Sequence, residues 1–278
     1  MSATTRSQAN PSPAGTLQVT SGLSFAGVLR SEWIKLRSVR STPWSYATVV
    51  VISLGMAVIM SLAMGSQGEG QMPAAAQATF VVLASTFGVF FGQLVVGVLG
   101  VLVVTGEYST GMIKSTLTAV PRRLPALWAK AVVLFTATFV IGAVATGGSY
   151  LVAVSILADR GIHASLVDGA VIGPLLYGAL YLALVSVFAL GVGTILRSSA
   201  GGIAVTLGLL LLLPIVLSMI PAAWASELVP YLISNAGATM MTAGDVAAMD
   251  PWQALLIVVG WLVVSLAGAA ALLKRRDA

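Results

Sequence analysis

Charge is what this 278-residue sequence has least of. Asp, Glu, Lys and Arg make up 8% of it, against about 25% in an ordinary soluble domain. Fourteen basic and nine acidic side chains are too few to cover a water-facing surface of this size. Cysteine is absent altogether, which excludes disulfides, thiol catalysis and thiolate-bound metals. The one histidine, His163, excludes every motif built on a histidine pair. The dipeptide Gly-Lys occurs nowhere, so a Walker A loop, with its phosphate cradle and reaching amine, is excluded as well.

What is present is apolar. Hydrophobic residues make up 58% of the chain and the mean hydropathy is +1.00, which points to lipid as the main solvent. Residues 1–22 are Ser-, Thr-, Pro-, Gly- and Ala-rich with one charge, Arg6, and read as a disordered tail. Six apolar runs follow, at about Trp44–Met64, Phe80–Thr105, Ala131–Leu157, Val171–Leu196, Ile203–Ile220 and Trp252–Leu273. Each is long enough to cross about 30 Å of hydrocarbon as a helix. The fifth contains Pro214, which predicts a kink. The expected fold is an all-α polytopic membrane protein of six transmembrane helices, spanning residues 44–278.

The basic residues give its orientation. Thirteen of the fourteen fall on the side of the N-terminus, the second and fourth connections and the C-terminus; Arg160 alone falls opposite. Positive residues mark the cytoplasm, so both termini are expected inside a cell membrane. That distribution also accounts for the pI of 9.8 without nucleic acid as a partner. No Asp, Glu, Lys, Arg or His lies well inside a run, which argues against a proton-coupled carrier or a voltage sensor. His163 sits in a short external loop, far from any partner for catalysis, and no catalytic or metal-binding set is visible.

Inside the runs, Gly88 and Gly92 form a small-residue pair suited either to packing within the chain or to a dimer interface. Gln93 is either an interhelical hydrogen-bond partner or a lining residue of a path. Ahead of the first run, residues 23–43 read as an amphipathic interfacial helix. Its apolar stripe is Phe25, Leu29, Trp33 and Leu36, with Arg30 and Arg37 toward the headgroups. Pro43 is expected to mark the bend into the first span. The second connection, Gly106–Lys130, is basic and holds a segment, Thr110–Thr118, able to form a short cytoplasmic helix. Such a helix suits either docking of another protein or contact with lipid. In the external connection Pro221–Pro251, Asn235-Ala236-Gly237 reads as a turn.

Three stretches carry a resemblance: Ser31-Glu32-Trp33-Ile34-Lys35-Leu36-Arg37-Ser38 before the first span, Gly106-Glu107-Tyr108-Ser109-Thr110-Gly111 after the second, and Val120-Pro121-Arg122-Arg123. In this layout the chain resembles the permease subunits of ABC-2 transporters. The resemblance implies a coupling helix that docks on a separate ABC ATPase subunit. Glu107 and Gly111 match its pattern by position, as do Pro121, Arg122 and Arg123; Tyr108, Ser109, Thr110 and Lys114 complete the candidate coupling residues. Met112 departs from the family's usual Thr and carries no hydroxyl.

The resemblance further implies an amphipathic connecting helix, short external helices that turn back toward the bilayer, a second permease subunit, and export as the direction. No cofactor is expected on this chain, and ATP and Mg belong on the partner ATPase. The competing expectation is a non-transporting membrane scaffold or sensor subunit, which shares the spans but needs no ATPase.

Overall fold

A computed structural model describes residues 24–65, 73–111, 123–242 and 249–275. Every regular element among the described residues is a helix. The first, α1 (Phe25–Ser38), is opened by Ser24, whose Oγ accepts from the Gly27 amide, as an N-cap side chain does. Two residues separate it from α2 (Ser41–Gly65). Pro43 therefore lies in the first turn of α2 rather than at the bend. A first-turn amide has no intrahelical acceptor, so proline is tolerated there. The bend falls at Val39, which leaves the helix with extended backbone.

Then come α3 (Ala74–Ser109), α4 (Arg123–Ala158) and α5 (Gly169–Leu196). The fifth crossing is composite: α6 (Ser199–Leu207), a π-helical turn at Gly208–Leu212 and α7 (Leu213–Ser218). The expected irregularity at Pro214 is thus a π-turn just ahead of the proline. The Leu213 amide bonds back five residues to the Gly208 carbonyl. Proline has no N–H for the Leu210 carbonyl, and the widened turn makes room for its ring. Beyond lie α8 (Ala223–Leu228), a 3₁₀ turn at Val229–Tyr231, α9 (Ile233–Met240) and α10 (Pro251–Arg275).

Among the described residues, six stretches are long and apolar enough to cross a membrane: Ser41–Ala63, Ala75–Ser109, Leu124–Ala158, Gly169–Leu196, Ser199–Ser218 and Pro251–Arg275. They match the six expected runs. The second and third are longer than their apolar runs, because helical structure continues beyond the hydrophobic boundary at one end of the bundle. Gly106–Ser109 and Arg123–Lys130 are consequently helical, not loop.

The bundle is built around α5, whose residues from Gly178 to Thr194 are almost all buried. Helix α3 packs along α5 and α2, and α4 packs along α5 and α2 in turn. Glycines set these distances. A Cβ on Gly88 would lie 2.4 Å from the Ser53 Cα, and one on Gly100 would lie 2.1 Å from the Ser186 carbonyl oxygen. Small residues permit that approach. Gly92 meets Val49 and Leu182 at ordinary contact distance, so the glycine pair serves packing inside the chain.

Gln93 is likewise interior, 2% exposed. Its Oε1 accepts from the Tyr181 hydroxyl and its Nε2 donates to the Phe90 carbonyl at 3.0 Å. It is an interhelical hydrogen-bond partner. Asn235-Ala236-Gly237 is not a turn but the middle of α9. That helix folds back into the core through Ile233, Ala236 and Met240. Gly237 lies against the Tyr181 ring, where a Cβ would fall 2.1 Å from Cε2.

Candidate functional site

Among the described residues, the end of the bundle that carries α1 gathers most of the charge. Helix α1 packs on α4 through a buried face of Val28, Glu32 and Leu36, which succeed one another at four-residue intervals and so share one side. This face is rotated from the expected apolar stripe. Leu36 is buried and Leu29 packs beside it in the core formed with Leu127 and Leu134. Phe25 and Trp33 remain about half exposed on the outer side. Arg30 and Arg37 are exposed there too.

A glutamate on the inner face requires a partner, and Lys130 of α4 supplies it: its Nζ donates to Glu32 Oε2 at 2.5 Å and to Glu107 Oε1 at 2.8 Å. Lys35, one turn after Glu32, donates to Glu32 Oε1 at 2.6 Å and to Glu107 Oε1 at 3.1 Å. The four side chains close a box of two carboxylates and two ammonium groups across α1, α3 and α4. Glu32, Glu107 and Lys130 are 3%, 7% and 8% exposed in their side chains, and Lys35 is 29% exposed. Burial alone would lower the Lys35 pKa. The Glu32 hydrogen bond and the charges of Glu107 and Glu32 outweigh it and hold the ammonium above its ordinary 10.5.

Next to the box, α3 ends in a way that explains the spacing of its motif. Thr110 caps the helix, its amide bonding to the Gly106 carbonyl, and Gly111 follows with φ +72°. A left-handed residue just past a cap redirects the chain, and glycine adopts it without steric penalty. Glu107 thus stands in the last turn, aimed into the box, and Gly111 four residues on turns the chain out of α3. Of the segment Thr110–Thr118, expected to form a short helix, only Thr110 and Gly111 are described, and they form the turn that ends α3. The rest of the connection, with Met112, Lys114, Pro121 and Arg122, lies outside the described residues; Arg123 opens α4.

Tyr108 and Ser109 occupy the same last turn. The Ser109 hydroxyl donates to the Gly106 carbonyl at 3.0 Å. The Tyr108 ring lies under the Arg197 guanidinium, 5.3 Å from its centroid, a cation–π distance. Arg197 has φ +52° in the sharp α5–α6 turn, and the Ser199 hydroxyl donates to Thr105 Oγ1 at 2.8 Å. The turn before the fifth crossing is therefore fastened to the end of α3.

A cavity of about 360 Å³ opens beside the box. Its lining is mainly apolar, from Leu36, Val39, Leu102, Val103, Val133 and Leu134, and all four box residues line it too.

Lys130 and the inward face of Glu32 were not anticipated as a site. In the sequence Lys130 is one more basic residue at the end of the second connection. The available signal was the Val28–Glu32–Leu36 spacing, which places an acid in line with two apolar residues.

These features define a class: a six-crossing membrane protein with a charged assembly, built from α1, α3 and α4, at one end. The family model for ABC-2 family transporter proteins matches residues 28–212, more than half of the chain. The chain belongs to that family and is a multi-pass membrane permease of an ABC transporter. The match includes all four box residues. No curated protein matches the chain.

Proposed function

We propose that the chain is the transmembrane half of an ATP-driven exporter, powered by a separate ABC ATPase subunit that docks at the α1 end of the bundle. That end then faces the cytoplasm of the cell membrane, as the excess of basic residues there supports. A second permease subunit completes the pathway. ATP and Mg act on the ATPase, and this chain is not itself an enzyme. The absence of a Gly-Lys pair supports this division of labour.

The observation that carries the reading is the charge box. It joins α1, α3 and α4 into one body next to Gly111, where the chain leaves α3 for the connection expected to dock. A push delivered there moves the second and third spans together rather than bending one helix. Nucleotide-driven closing and opening of the ATPase pair then switches access along the permease interface.

Gly111→Ala tests this. It puts a side chain into a left-handed position, at a cost of about 1–2 kcal/mol, and redirects the segment without touching the box. The expected result is weaker ATPase association and lost ATP-dependent transport, with thermal stability in detergent close to wild type. Normal association and transport would remove the docking role and favour a scaffold or sensor.

A further inference from the structure

Among the described residues, Arg197 is the one non-glycine residue with positive φ, at +52°. It ends α5, its amide bonding to the Gly193 carbonyl at 2.9 Å, and Ser198 then opens α6 by accepting from the Gly201 amide at 3.3 Å. Glycine fills such a position without steric penalty, and arginine does not. Strain of this kind persists where the surroundings over-determine it. Here the guanidinium held over the Tyr108 ring does so.

That stacked pair is the first rung of a seam between α3 and the fifth crossing. The second is the Ser199–Thr105 hydrogen bond at 2.8 Å. At the third, a Cβ on Gly202 would lie 2.6 Å from Val101 Cγ1. At the fourth, a Cβ on Gly97 would lie 3.2 Å from Thr206 Cγ2 and 3.3 Å from Leu210 Cδ1. Positions 97, 101, 105 and 108 share one face of α3, as 199, 202, 206 and 210 share one face of the fifth crossing. The two faces meet antiparallel.

Little else holds this crossing, the least enclosed of the six. The buried residues of α6 are Gly202 and Thr206, that of the π-turn is Leu210, and α7 has none. A helix held on one seam follows α3 only while the seam keeps its register. The rung that ends the seam, Tyr108 with Arg197, lies in the turn of α3 that also carries Glu107.

We propose that Arg197 is a positioning residue for transport. Clamped on Tyr108, it fixes the register of the seam, so a displacement of the Glu107–Gly111 end of α3 is passed to the fifth crossing. It acts through Tyr108 and touches neither the ATPase nor the solute. The inference rests on docking of the ATPase at the α1 end. Wild type without ATP-driven transport would sink that reading, whereas the inference is judged only on variants of a wild type that transports.

The test is solute moved per ATP hydrolysed by the permease–ATPase complex in proteoliposomes. Arg197→Gly removes the cation and relieves the left-handed strain. Arg197→Asn, also tolerant of a left-handed backbone, is a second neutral variant should the first fold poorly. Both are expected to keep ATPase association and an unfolding temperature in detergent close to wild type. Both are expected to lower the transport-to-ATP ratio about fivefold or more, the factor a cation–π contact supports.

Arg197→Lys, which keeps a cation over the ring, is expected to recover a large part of the ratio. In a Tyr108→Leu background, Arg197→Gly is expected to cause no further loss, because the two residues then act as one unit. A wild-type ratio in the folded neutral variants would overturn the proposal. So would weakened ATPase association in them, which would make Arg197 a docking contact. Arg197→Lys no better than Arg197→Gly, or a full further loss in the Tyr108→Leu background, would equally overturn it.

Discussion

Two lysines in one box hold the same two carboxylates but differ in exposure. Lys130 is almost wholly buried; Lys35 is about a third open to solvent. Removing one member of a buried pair strands charge in a poor solvent, at about 3–5 kcal/mol, whereas an exposed pair is worth about 0–1 kcal/mol. Lys130→Met is therefore expected to lower the unfolding temperature in detergent much more than Lys35→Met. Equal losses would mean that the box contributes little beyond its packing.

The Lys35 contribution also has a defined pH window. Its folded pKa is raised, so its stabilisation is fully present below the unfolded lysine pKa, about 10.4. It is lost as pH rises through the higher folded value. The stability gap between wild type and Lys35→Met should stay level from neutrality to about pH 10 and close above it. Thermal melts across that range measure the gap.

At the scale of the helices, contact distances rank the glycines. Gly100→Ala drives a methyl toward the Ser186 carbonyl oxygen of α5, and Gly237→Ala drives one into the buried Tyr181 ring. Both are expected to cost about 1–3 kcal/mol or more through displaced neighbours, read as a lower melting temperature or poor yield. Gly55→Ala, in α2 with open space around it, is expected to be neutral or slightly stabilising. A sensitive Gly55 beside a tolerant Gly100 would contradict the packing.

Helices are also where sequence reading succeeds and stops. The six crossings are legible because hydrophobic runs of that length have no other stable use. The ends of α3 and α4 are not, because hydropathy registers the edge of the lipid while helical hydrogen bonding continues past it. Asn235-Ala236-Gly237 has the composition of a turn, yet packing against Tyr181 makes it helix, and Gly237 is there for closeness rather than for chain reversal. The motif Glu107-x-x-x-Gly111 was readable as a pattern. Its physical meaning, an inward carboxylate and a left-handed exit one turn later, needed the backbone.

For the whole molecule, charge is sparse but concentrated. Glu32 and Lys130 are 98 residues apart in sequence, so no local pattern pairs them; only folding α1 onto α4 does. What composition conveyed was the division of the chain between lipid and water, and the resemblance of its motifs conveyed the family. The reading that follows is of a permease that binds no nucleotide and receives its motion at the α1 end.

The most direct measurement is ATP-dependent transport in proteoliposomes holding this chain with and without its purified ABC ATPase, over a panel of labelled solutes. The account predicts that the chain alone neither hydrolyses ATP nor moves solute, and that adding the ATPase with Mg and ATP starts transport. Nucleotide hydrolysis by the isolated chain, or solute movement that ignores the ATPase, would contradict it.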